Sequence, residues 1–193
     1  MKMIMLQATV AAALLGTAAP AAAQSVPGAI IAVVDLERVT AQCTACKTAN
    51  AVLQSQANAL RARQTALATP LEAEGKSLQA AVNALNGKAP DAALEARIKA
   101  FQTKQQTGAQ ELTRQQTQIQ RNQAYIQQQI GAKLGPIYQQ VMQRRGANIM
   151  LEVGSTLATA ATLDVTTDVL TALNSALPTI GTTAPAQAAP QGR

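Results

Sequence analysis

Leu53, Leu60 and Leu67 recur at intervals of seven residues, and Leu71, Leu78 and Leu85 do the same in the complementary position. Both sets fall in one heptad frame. Ala57 and Ala81 fill other seam sites, and Gln64 and Glu74 interrupt it. An α-helix turns once in about 3.6 residues, so two apolar positions in seven keep a narrow stripe on one face. Such a stripe gains burial only by lying along another helix. The spacing predicts a coiled-coil arm whose first helix runs from about Lys47 to Leu85. Asn86-Gly87-Lys88-Ala89-Pro90-Asp91 then reads as a tight connection, with Asn-Gly closing one helix and Asp91 capping the next. The second helix is expected over about Ala92 to Arg145, where two cationic residues precede Gly146. Its seam runs Leu94, Ile98, Phe101, Gln105, Gly108, Leu112, Gln115, Ile119, Asn122 and Ile126, and it turns half polar from Gly108 onward.

Breakers occur along this arm. With Lys88 as the tip, residue i of the first helix faces roughly 176 − i of the second. Pro70 then falls near Gln106, Gly75 near Phe101, and Gly108 close to the same height. Proline removes a helical hydrogen bond and glycine lowers helix propensity, so Pro70, Gly75 and Gly108 are read as an arm hinge. Gly131, Gly135 and Pro136 are read as a second interruption in the returning helix.

The segments flanking the arm differ in kind. Ala29-Ile-Ile-Ala-Val-Val34 is a short β-branched run bounded by Pro27-Gly28 and Asp35, and it reads as a buried strand. A short helical turn is expected at Leu36 to Val39. Ala147 to Val153 reads as a second strand, Thr156 to Leu163 as a third, and Thr167 to Leu173 as a last helix capped by Thr166. Ile30, Ile31, Val33, Val34, Ile149, Leu151 and Val153 are the candidate oligomerisation residues. Three short strands leave open edges and a small core, which association of several copies would relieve. From residue 175 the chain turns Ser/Thr/Ala/Pro/Gly-rich, and 175–193 is expected to be a disordered tail.

Met1 to Ala23 reads as a secretory signal peptide: Lys2, an apolar stretch from Ile4 to Gly16, and Ala21-Ala22-Ala23 before Gln24. The mature chain would then lie outside the cytosol. The 193 residues carry a net charge of +6, and no His, which removes His-based triads, general bases and metal ligands. No phosphate-cradling Gly-rich loop followed by Lys-Ser/Thr is present, so nucleotide use has no support and no cofactor is expected. The charge is uneven. Residues 97–145 sum to +7, whereas 51–96 sum to 0 and 146–193 to −2. Arg97, Lys99, Lys104, Arg114 and Arg121 make the returning helix a basic rod suited to steering acidic partners. Twelve Gln within residues 102–129 offer many weak, unspecific hydrogen-bonding contacts or simply a solvated face. Cys43-Thr-Ala-Cys46 admits three readings: a local structural disulfide, a redox pair, or half of a metal site shared between subunits.

Several stretches together resemble the Skp/OmpH family of exported chaperones of the Gram-negative envelope. They are Ile31-Ala-Val-Val-Asp-Leu-Glu-Arg-Val39, Gly135-Pro-Ile-Tyr138, Ala147-Asn-Ile-Met-Leu-Glu152 and Leu163-Asp-Val-Thr-Thr-Asp-Val-Leu-Thr-Ala-Leu-Asn174. The cysteine pair departs from that pattern. The resemblance implies a mostly α fold with a small β body. A long antiparallel helical hairpin would be inserted between the first strand and the second and third. Residues 24–46 and 134–174 would form the body, and 47–133 the arm. It further implies a homotrimer joined through the strands, holding unfolded outer-membrane β-barrel proteins between its arms in the periplasm without nucleotide. Lipopolysaccharide or another anionic membrane surface is a second partner class compatible with the basic rod. An exported basic coiled-coil protein binding anionic envelope components (lipopolysaccharide or nucleic acid) without chaperone activity, a thiol oxidoreductase using Cys43 and Cys46, and a coiled-coil spacer are the competing readings.

Overall fold

The computed structural model describes residues 27–186 of the 193. The signal peptide expected over 1–23 lies outside the described residues. The chain runs β1 (Ile31–Val34), α1 (Leu36–Gln42), α2 (Thr44–Ala84), α3 (Ala92–Arg145), β2 (Ile149–Glu152) and α4 (Thr166–Ala176). Asp35 ends β1 and opens α1, accepting from the Arg38 amide at 2.8 Å. Two helices dominate. At about 1.5 Å per residue, the 41 residues of α2 extend roughly 60 Å and the 54 of α3 roughly 80 Å.

Cross-helix pairs set the relation of α2 to α3. Gln56 meets Asn122, Arg63 meets Glu111, Glu74 meets Lys104, and Ser77 meets Arg97. As numbers rise on α2 they fall on α3, so the two helices run antiparallel. The turn between them uses Asn86 and Gly87 at φ 47° and 86°, left-handed values that Gly and Asn tolerate best. Asp91 caps α3 by accepting from the Leu94 amide at 2.8 Å, and Gly146 closes it at φ 65°. Leu78, Leu94, Gly108, Asn122 and Ile126 are the buried seam positions, while Leu53, Leu60, Leu67 and Leu71 are half-buried.

α3 passes through Gly131, Gly135 and Pro136 without a break, so the interruption expected there is corrected. Pro136 forgoes one hydrogen bond, but Leu134, Ile137 and Val141 on the same turns are buried in the body's core and hold the helix to it. That core joins Ala32 and Val34 of β1, Val39 of α1, Cys43 and Cys46, and Val165, Val169, Leu173 and Leu177 in and beside α4.

β1 and β2 pair in parallel within one chain, with Ile31 opposite Ile149 and Val34 opposite Glu152. One edge of each strand, expected to be open for association of copies, is thus filled within the chain. The third strand is also absent. Residues 153–155 and 161–163 form short 3₁₀ turns, and one bridge from Val33 to Asp164 replaces the expected ladder. Leu157-Ala-Thr-Ala-Ala-Thr162 offers no alternation of large apolar side chains to hold a strand on a core. Thr166 is the first residue of α4 rather than its cap. The Asp164 carboxylate accepts from the Thr166 amide at 2.8 Å, and the Thr166 hydroxyl accepts from the Asp35 amide at 3.0 Å.

Over residues 175–186 the expected disordered tail is corrected. α4 continues to Ala176, and Leu177 is buried in the core. Residues 178–186 lie against α3. Residues 187–193 are outside the described part.

Candidate functional site

The β-body presents one covered and one uncovered sheet face. Side chains alternate along a strand, so Ala32 and Val34 turn inward with Met150 beside them. Ile31, Ile149 and Leu151 turn outward and keep 37–39% of their surface exposed. Ile30 at 56% and Leu157 at 109% extend the apolar area. Val33 departs from this pattern: it is buried at 3%, because its edge is covered by residues 164–165, whose Val165 amide donates to the Val33 carbonyl at 2.9 Å. Val153, read as a strand residue, sits in a 3₁₀ turn and is half-buried. The seven candidate oligomerisation residues are thus split: Ile30, Ile31, Ile149 and Leu151 are outward and exposed, Val33 is buried under residues 164–165, Val34 is in the core, and Val153 is in a turn.

Polar clips hold this body to the arm's root. Arg38 pairs with Asp164 at 2.8 Å and Arg145 with Asp168 at 2.6 Å. Thr166 hydrogen bonds, foremost its side chain, lower the Asp164 pKa; burial opposes this, and Arg38 adds smaller lowering effects. Cys43 and Cys46 are joined as a disulfide at the α1–α2 junction, both buried within the core. Asn174 accepts from the Thr44 amide at 2.9 Å and fastens the same junction to α4.

Halfway along the arm, α2 and α3 separate around a cleft of about 460 Å³. Leu67, Pro70, Leu71 and Gly108 line it, so Pro70 and Gly108 lie at one level. Arg63 and Glu111 close one end with two bonds of 2.7 and 2.9 Å, and Lys104 and Glu74 close the other at 2.8 Å. The side-chain hydrogen bond between them raises the Arg63 pKa and lowers that of Glu111. A Cβ on Gly108 would meet Leu67 at 3.6 Å, whereas one on Gly75 would meet Phe101 at 3.3 Å. Gly75 is therefore small because the Phe101 ring lies on it.

The basic residues of α3 divide by use. Lys104 is paired with Glu74, Arg97 donates to the Ser77 hydroxyl at 3.2 Å, and Arg121 donates to the Pro185 carbonyl. Lys99 and Arg114 are exposed and make no ion pair among the described residues. Among those residues no group of three His, Cys, Asp or Glu side chains gathers to hold a metal ion, and no helix is long and apolar enough to cross a membrane.

Sequence reasoning missed the polar track on α3 where residues 178–186 lie. Gln129 exchanges two hydrogen bonds with Gly181, each 2.9 Å. The Ala184 amide donates to Asn122 at 2.9 Å. Asn122, 3% exposed, also donates to Gln56 at 3.0 Å and accepts from Gln118 at 2.8 Å. Leu177 and Ile180, the two large apolar residues among small ones, were the available signal that this stretch docks.

The comparisons agree with this architecture. The crystal structure of an OmpH-like protein from Caulobacter crescentus CB15, a candidate outer membrane chaperone, superposes with a TM-score of 0.65 at 19% identity. The match covers 81% of this chain and 90% of that one, and at this identity it speaks to the fold. No curated protein matches significantly. The family model described as outer membrane protein (OmpH-like) matches residues 30–173, from the first residues of the β-body through the arm to α4, and the chain therefore belongs to the OmpH-like family.

Proposed function

We propose that this protein is an ATP-independent holdase of the periplasm that binds unfolded outer-membrane β-barrel proteins and keeps them from aggregating in transit. The family match over 30–173 carries this reading. Its physical support is a long paired-helix arm rising from a small body whose outward sheet face is apolar. In the proposed assembly, three copies bury Ile30, Ile31, Ile149 and Leu151 against one another, and their arms enclose a shared space. Lys99 and Arg114 add positive charge to the arm, which draws in acidic client segments over a screening distance of about 8 Å at physiological ionic strength. The Pro70–Gly108 level is the proposed hinge. Binding by many weak contacts allows release without fuel.

The test uses the mature chain and a β-barrel protein diluted from denaturant. Roughly one trimer per client should keep it soluble, and light scattering of the chaperone alone should report three copies. Aggregation that persists at several-fold excess refutes the holdase reading. Replacing Ile149 and Leu151 with Asp should dissociate the assembly and abolish protection. A second reading is favoured by the +7 charge of residues 97–145: binding of an anionic envelope component such as lipopolysaccharide. Steep loss of that binding with salt, without any client protection, selects it instead.

A further inference from the structure

We infer that the α3 surface bearing Arg121, Asn122, Tyr125 and Gln129 is a binding site for the backbone of an extended polypeptide, and that the chain's own C-terminal segment is its resident occupant. The identity of the competing ligand, an unfolded client segment, rests on the holdase reading.

The contacts have an unusual uniformity. Gln129 donates to the Gly181 carbonyl and accepts from the Gly181 amide, both at 2.9 Å, as a neighbouring strand would. Asn122 accepts from the Ala184 amide at 2.9 Å, and Arg121 donates to the Pro185 carbonyl. Each of these bonds reaches the main chain of the segment. None reads a side chain, so a peptide with a Gly over Tyr125 presents the same groups whatever its other residues. A backbone N–H only donates, which fixes the Asn122 oxygen toward the segment.

The spacing keeps the segment in step with the helix. From Gln129 to Asn122, seven helical residues rise about 10 Å, about the reach of the three residues from Gly181 to Ala184, and the segment bends at Thr183. The segment runs opposite to α3, climbing from the body toward the arm's tip. Thr183 sits among Gln56, Gln118 and Ile119, so it lies where α2 and α3 meet. Gly181 lies on Tyr125, where a Cβ would come within 3.1 Å of the ring.

The occupant is chemically weak. Its residues from Pro178 to Ala186 are Pro, Thr, Gly and Ala except for Ile180. Tethering supplies what side chains do not, since a short tether holds a ligand at an effective concentration in the millimolar range. A client segment that places a Gly over Tyr125 and carries larger apolar side chains on either side of it displaces the resident segment, and a chance weak encounter does not. The segment thus sets a threshold for capture.

The experiment compares the full chain with one ending at Leu177, after thermal melting has established that the shorter chain folds. A fluorescent peptide of residues 178–186 should bind the shorter chain saturably and the full chain at least tenfold more weakly. Asn122→Ala and Gln129→Ala in the shorter chain should each weaken peptide binding at least tenfold. Affinity for an unfolded β-barrel protein should rise at least threefold on removing the tail. Gly181→Val in the full chain should reproduce that rise, and carries the test should the shorter chain not fold. A peptide that fails to bind, or a client affinity indifferent to both changes, overturns the inference while leaving the holdase reading intact. If neither chain protects a client but the peptide binds and both amide variants lose it, the holdase reading fails and the backbone site stands.

Discussion

Removing the Cys43–Cys46 disulfide is expected to lower stability by about 2 kcal/mol. The bridge closes a short loop, with a sequence separation of 3. The chain-entropy relation for a loop this small gives about 6 cal/mol/K, or roughly 2 kcal/mol at 25 °C. Both cysteines are core residues, at 0% and 2% exposure, and they join the end of α1 to the first turn of α2. Reduction therefore loosens the junction where arm meets body, which the Asn174–Thr44 bond and core packing still fasten to α4. For a chain of this size, about 2 kcal/mol corresponds to a melting shift of about 4–8 °C. The assay is thermal unfolding by circular dichroism at fixed protein concentration, with and without dithiothreitol, for the natural chain and Cys43→Ala/Cys46→Ala. The natural chain should lose those degrees on reduction, and the double variant should melt near the reduced protein with no response to reductant. A natural chain indifferent to reductant would refute the structural role, as would a variant that still responds.

Two further outcomes follow from the geometry. Gly108→Ala places a methyl in ordinary contact with Leu67 at 3.6 Å, so the full helix-propensity gain of about 1 kcal/mol should appear as higher stability in urea, whereas Gly75→Ala, 3.3 Å from Phe101, should return less. Asp164 has a depressed pKa when folded, so its contribution is present above the ordinary carboxylate value near pH 4 and is lost as pH falls through the lower folded value. Its side chain is 40% exposed, which keeps the effect small. Asp164→Asn should flatten the acid limb of a stability-versus-pH curve, and an unchanged limb would refute the assignment.

Features governed by local chemistry were legible in the residues. The second long helix was expected over about Ala92 to Arg145 and spans those residues, because Asp91 caps it and Gly146 supplies its left-handed stop. The β-branched run expected as a strand at 29–34 supplies one at Ile31–Val34 for the same kind of reason. Features decided by long-range packing were not legible. Gly131, Gly135 and Pro136 look like a break, yet the body's core holds the helix across them. Thr166 looks like a cap, but its hydroxyl is engaged by Asp35, 131 residues away in sequence. Pairing of β1 with β2 has no sequence signature short of knowing that the arm returns the chain to its start. The small residues after Asn174 suggested disorder, and the amides of Asn122 and Gln129 that hold residues 181–184 sit in a stretch where glutamine is too common to single out.

The parallel pairing of β1 with β2 has a consequence for how the molecule is made. Val34 and Ile149 are separated by 114 residues, and closing so long a flexible loop costs on the order of 4 kcal/mol. The two rods shorten that search: once zipped from the Asn86–Gly87 bend by neighbouring contacts, they deliver the late strand alongside the early one. Assembly is thus led by its most outlying part, and the sheet is the last piece to close. Trimming matched heptads from both rods should leave the body able to form, while lengthening one rod alone would strand its partner strand out of reach.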